Sequence, residues 1–101
     1  MKTGAELISE ERNRQIEKEG WSAEHDDMHC EGELALAAAC YACVSTDVSA
    51  LQWPAIWPWE WEWWKPSSDS IRNLVKAGAL IAAEIDRLNR AKSKNGKGKS
   101  E

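Results

Sequence analysis

Imidazole and carboxylate side chains are concentrated in one short stretch, His25-Asp26-Asp27-Met28-His29, with Glu33 four residues further on. These groups can shuttle a proton or hold a divalent cation. His29 and Glu33, four apart, meet on one face of a helix. The spacing matches no zinc or calcium motif. A cation here, magnesium or manganese, would take His29, Glu33 and Asp27. The plainer reading makes one aspartate a helix cap and His29 with Glu33 a simple pair, and residue types alone favour it.

A phosphorylated ligand would need cations, and Arg12, Arg14, Lys65, Arg72 and Lys76 are the candidates outside the C-terminal tail. Trp57, Trp59, Trp61 and Trp63 alternate with Pro58, Glu60 and Glu62. Such rings beside Lys65 could stack a base while the ammonium meets phosphate. They could equally lid the core or bury an interface, which is the favoured reading. Cys40-x-x-Cys43 is half a zinc site with no second pair, so packed thiols are expected.

The elements that position these residues read as helices. Thr3-Gly4-Ala5-Glu6 is a capping box, and Gly20 is a natural stop, so a first helix spans about 4–19. Ile8 and Ile16 mark its inward face, with Arg12, Gln15 and Glu19 on the arc between them. Trp21 to Asp27 reads as a polar connector, with Asp26 or Asp27 capping a second helix over 28–44. That helix is apolar nearly all round and should be central. Trp53-Pro54 and Trp57-Pro58 break any helix there, leaving a long loop with a short helical turn near Asp47 to Leu51. A third helix spans 69–90, with Ile71, Leu74, Gly78, Ile81, Ile85 and Leu88 as its packing stripe. Arg72, Lys76 and Leu80 lie on another face. The expected fold is an all-α, three-helix domain over 1–91, with a disordered basic tail over 92–101.

The chain has 101 residues, enough for one domain, and a net charge of −4. An acidic body argues against broad nucleic-acid binding. No apolar run is long enough to span a bilayer, and no signal-peptide pattern opens the chain. Three cysteines, an odd number, suit reduced thiols in the cytoplasm. Leu80 off the stripe and an apolar Trp loop suggest a homo-oligomer.

Glu11-Arg12-Asn13-Arg14-Gln15, Glu19-Gly20-Trp21, His25-Asp26-Asp27-x-His29, Gly32-Glu33-Leu34-Ala35, Trp57-Pro58-Trp59, Trp64-Lys65-Pro66 and the run Leu74 to Ile81 resemble a family of small proteins encoded by tailed phages and prophages. The resemblance covers most of residues 4–90. It implies a phage origin, a bacterial-host cytoplasm and a single helical domain. A fainter resemblance is to the all-α nucleotide pyrophosphohydrolases of the MazG and dCTPase kind. It implies a magnesium site built from E-x-x-E and E-x-x-D pairs. Here Glu31-x-Glu33 and Glu84-x-Asp86 stand in their place, with a spacing that does not put both carboxylates on one face.

These readings converge on a two-helix junction that binds a small phosphorylated ligand, a nucleotide or nucleotide-derived signal, with counter-defence as its setting. The residues expected there are Arg12, Gln15, Trp21, His25, Asp26, Asp27, His29, Glu33, Lys65 and Lys76. Arg12 and Lys76 would hold phosphate and a Trp would stack the base. Two alternatives use the same features: metal-dependent hydrolysis of a nucleoside triphosphate, and inhibition of a host protein through the Trp loop.

Overall fold

The computed structural model describes residues 1–46 and 53–96. Helix α1 (Gly4–Lys18) opens with the expected capping box. The Thr3 hydroxyl accepts from the Glu6 amide at 3.2 Å, and the Glu6 carboxylate accepts from the Thr3 amide at 2.8 Å. At the other end Gly20 sits at φ +75°, which lets the amides of Glu19 and Trp21 both reach the Gln15 carbonyl. An L side chain is strained in that conformation. Gly20→Ala is expected to lower stability by about 1 kcal/mol, read as a lower urea midpoint. Gly20→Asn should cost less, since Asn tolerates this region better.

The connector after Gly20 is itself partly helical. Ser22, not Asp26 or Asp27, is the cap: its hydroxyl accepts from the His25 amide at 3.2 Å and opens the short α2 (Ala23–Asp27). The next helix, α3 (Glu33–Val44), starts later than residue 28 because Gly32 adopts a left-handed φ of 86° just before it. Helix α4 (Ser70–Gly96) runs past Arg90 and absorbs residues assigned to the tail. Trp53–Ile56 and Trp61–Trp63 form 3-10 turns in the Trp-rich segment. The expected turn near Asp47 to Leu51 lies outside the described residues, as do residues 97–101. Among the described residues the fold is all-α, with four α-helices where three were expected and no strand. No helix among them is long and apolar enough to cross a membrane.

α3 and α4 pack against each other along their length and enclose the core of Leu34, Ala37, Ala38, Cys40, Tyr41, Trp57, Ala77, Leu80 and Ala83. This reverses the face assigned to α4. Its bulky stripe of Ile71, Leu74, Ile81, Ile85 and Leu88 points away from the core and stays half exposed. Leu80, expected off the packing face, is buried. The reason is fit. An alanine-rich α3 approaches closely only a helix face that is also small, and α4 offers Ala77 and Ala83 there. The polar residues on that face bring their own partners. Asn73 makes two hydrogen bonds to the Ser67 backbone, at 2.7 and 2.8 Å. Arg87 binds Glu84 through two bonds, at 2.8 and 3.0 Å.

α1 packs on α4 where Gly78 makes room for Ile8; a Cβ at Gly78 would lie 2.4 Å from Ile8 Cδ1. Arg12 and Gln15 do turn inward, as the helical wheel indicates, but Glu19 and Ile16 are exposed. The carboxylate that is buried is Glu11. None of the three cysteines, Cys30, Cys40 and Cys43, is in a disulfide among the described residues. Burial, reinforced by Cys43, raises the Cys40 pKa to about 11, so this thiol is inert packing.

Candidate functional site

A cleft of about 630 Å³ opens between the end of α1, the α2 segment and the Trp-rich loop. Its chemistry is aromatic. Trp21 stacks on His25 at 5.6 Å with the rings 10° from parallel. His25 meets His29 edge-on at 5.0 Å, and His29 leans on Trp59 at 5.2 Å. Trp59 meets Trp57 edge-on at 5.5 Å, and Trp57 meets Tyr41 at 6.0 Å. The rings therefore form an unbroken series from α2, through the loop, to α3. Trp63, Leu80, Pro58, Glu19 and Glu60 complete the lining.

The local sequence explains why these side chains converge. Ser22 starts α2 so that His25 falls one turn after Trp21 and His29 one turn after His25. The proline steps keep the Trp loop from running on as helix, and the Trp57 indole donates to the Glu60 carbonyl at 3.2 Å, folding the loop onto itself. The Tyr41 hydroxyl accepts from the Lys65 amide at 3.1 Å and ties the end of that loop to α3.

Beneath the cleft lies a charged layer. Asp26 is fully buried; it accepts from Arg12 Nη2 at 3.0 Å and stands 3.1 Å from His25 Nδ1. With His25 Nδ1 turned to the Asp26 carboxylate, Nε2 is the ring nitrogen left to meet a ligand. Arg12 also lies 3.8 Å from Asp86.

Of the ten residues expected at the site, Trp21, His25 and His29 line the cleft. Asp26 and Arg12 support it from below. Arg12 is therefore a buried structural cation and not the phosphate ligand expected. Gln15 donates to Glu11 at 3.2 Å and is buried away from the lining. Asp27 is taken up by Arg90 at 2.8 Å. Glu33 stands 3.9 Å from His29. Its pKa is lowered by backbone amides, its own and that of Glu31, with smaller help from His29 and Arg87. The proposed metal set of Asp27, His29 and Glu33 is thus not assembled. Among the described residues no three His, Cys, Asp or Glu side chains gather as metal ligands.

Lys65 and Lys76 do not line the cleft, but each lies over a ring that does. Lys65 Nζ lies 5.7 Å over the Trp63 ring. Lys76 Nζ lies 5.5 Å over the Tyr41 ring and donates to the Lys65 carbonyl at 2.7 Å. Burial lowers the Lys76 pKa, and the positive charges of Arg72 and Arg14 lower it further against the pull of Glu11 and Glu19. The edge of the cleft near Tyr41 and Glu19 therefore adjoins three clustered cations. Arg14 is already paired with Glu11 and Glu19, and Arg72 with Glu11, so Lys76 is the cation placed to meet an anion. A smaller depression of about 340 Å³ between α1 and the start of α4 shares Arg14 and Arg72, but Glu10, Glu11 and Asp69 line it too.

Glu19, read from the helical wheel as facing the junction, lines the cleft, but residue-type reasoning missed Tyr41. Tyr41 was hidden inside a helix that reads as pure core. Its hydroxyl, which needs a partner when buried, was the available signal. No protein-family model, no curated protein and no solved structure matches this chain.

Proposed function

We propose that this protein binds a small phosphorylated ligand, a nucleotide or nucleotide-derived signal, with its flat ring in the aromatic cleft and its phosphate at the Lys76 edge. The observation that carries this reading is the juxtaposition of a ring-lined cleft with the Lys76 ammonium, which stands 5.5 Å over Tyr41, one of the lining rings. Aromatic faces accept any flat heterocycle at about 1–3 kcal/mol per stacked base. His25 Nε2 and the Glu19 and Glu60 carboxylates supply polar partners for ring edges or ribose hydroxyls. The setting that suits the resemblance is the cytoplasm of a phage-infected bacterium, where sequestering a nucleotide signal would blunt a defence response.

The hydrolytic alternative gains less from the geometry. Carboxylates that a pyrophosphohydrolase would give to magnesium are here engaged by arginines: Glu84 by Arg87, and Asp27 by Arg90. Asp86 lies toward Arg12.

The test is a titration of intrinsic Trp fluorescence, with thermal shift in parallel, against nucleoside mono-, di- and triphosphates and cyclic nucleotides, with and without magnesium or manganese. A binder should quench the indoles and raise Tm. Trp59→Ala should weaken its binding at least tenfold. Lys76→Met should weaken the phosphorylated ligand about tenfold while leaving the parent nucleoside unchanged. No quench and no shift with any of them at millimolar concentration would sink the proposal.

A further inference from the structure

Ile71, Leu74, Ile81, Ile85 and Leu88 are each left 49–62% exposed by the packing of α4. With Gly78 they alternate in steps of three and four, the a/d repeat of a two-helix seam. Within the molecule Ile8 of α1 reaches this repeat at Gly78, and Leu7 shares a depression with Ile71. The five side chains present on the order of 500 Å² of apolar surface. That is in the upper range for a monomer's largest patch, and more than half of the roughly 800 Å² that each partner gives to a standard interface. Leu7 and Ile8 of α1, both partly exposed, flank it and extend it. No charge interrupts the seam between Ile71 and Leu88. Glu84, which borders it, is already held by Arg87.

A ridge with this spacing is filled best by a ridge of the same spacing and length. The chain itself carries one, on a 27-residue helix. We infer that α4 pairs with α4 of a second copy, antiparallel, in a two-fold dimer. Lys92 occupies the next a position after Ile85. Parallel pairing would set two Lys92 ammonium groups face to face in the seam, whereas antiparallel pairing separates them. It also registers Leu74 against Ile85 of the partner subunit and Ile71 against Leu88 of the partner subunit. Such an interface lies on the face of α4 turned away from α3, so both aromatic clefts stay open.

Sedimentation equilibrium on the full chain tests the inference. The expected mass is twice 11.4 kDa. The double variant Ile81→Glu, Ile85→Glu changes only exposed side chains; it should keep its far-UV circular dichroism and sediment as a monomer. If that variant loses helicity, Ile85→Ala should still raise the dimer dissociation constant at least tenfold. In a Cys30→Ser background, Leu74→Cys combined with Ile85→Cys should oxidise to a covalent dimer much faster than either alone. A monomeric wild type, or a dimer unaffected by the seam substitutions but lost on Trp61→Ala, Trp63→Ala, would overturn the proposal. Equally rapid cross-linking through Leu74→Cys alone would overturn the antiparallel arrangement.

Discussion

Asp26→Ala is expected to lower stability by about 3–5 kcal/mol, the range for removing one partner of a buried ion pair. Total stability of a domain is only about 5–15 kcal/mol, so that is a large fraction of it. Asp26 is fully buried and accepts from Arg12 at 3.0 Å. Arg12 is nearly as buried, and its Nε and Nη1 atoms have no hydrogen-bond partner among the described residues. Without Asp26, its nearest carboxylate is Asp86 at 3.8 Å, on a side chain that is mostly in water. The guanidinium cannot shed its proton, so it must stay charged in a poor dielectric or drag α1 outward. The cost is therefore that of orphaning Arg12 more than of losing one attractive bond. Arg12→Met combined with Asp26→Leu should recover most of it, because neither charge is then buried. Urea unfolding of the wild type, the two single variants and this double variant closes the cycle. Single losses that simply add would show that the two side chains are not coupled. On the proposed function, Asp26→Ala should also weaken ligand quenching, since His25 Nδ1 loses the carboxylate 3.1 Å away that orients its ring.

The two ends of this site differ in how far the sequence exposed them. Trp21, His25 and His29 were legible because their chemistry is concentrated in one short stretch of chain. Gly20 and the Thr3 capping box were legible for the same reason: each signal lies within one turn of chain. Asp26 was read as a cap or as a carboxylate facing the ligand; Ser22 takes the cap, and Asp26 is buried. Its burial depends on Arg12, fourteen residues back, and no local pattern encodes that pairing. The face of α4 failed differently. Counting bulky apolar residues located a real stripe, but bulk does not say which surface will meet it. The alanines of α3 selected the smaller face of α4, and the stripe was left to the outside. Glu11 was passed over because a carboxylate beside two isoleucine markers reads as solvated, and its distant partner Arg72 lies on another helix.

Glu11 carries the second large effect, and that effect is pH-dependent. It is buried, yet it accepts two hydrogen bonds from Arg14, at 2.9 and 3.0 Å, and one from Gln15 at 3.2 Å. Arg72 closes on it from α4 at 2.7 Å. Burial pushes its carboxyl pKa up, but the bonds and charges of Arg14 and Arg72 together outweigh burial, so the pKa falls below the ordinary 4.5. A depressed folded-state pKa means that the unfolded chain takes up the proton first. The stabilisation is complete above pH 4.5 and is lost as the pH falls through the lower folded-state value. Glu11→Gln keeps the shape but removes the charge and one acceptor. At pH 7 it should cost about 1.5–3 kcal/mol, the range for hydrogen bonds to a charged group. Arg14 and Arg72 are more than a third exposed, so water takes over part of their loss and the lower half of that range is expected. As the pH is lowered, the wild type should lose stability faster than the variant. The two urea midpoints should converge once Glu11 is protonated in the folded protein. A midpoint difference that stays constant from pH 7 into that acid range would mean that shape at position 11, and not the charge that fastens α1 to α4, supports the fold. The same clamp fixes where Arg14 and Arg72 stand relative to Lys76. On the proposed function, ligand binding at the Lys76 edge should therefore weaken in Glu11→Gln even at a pH where the fold itself survives.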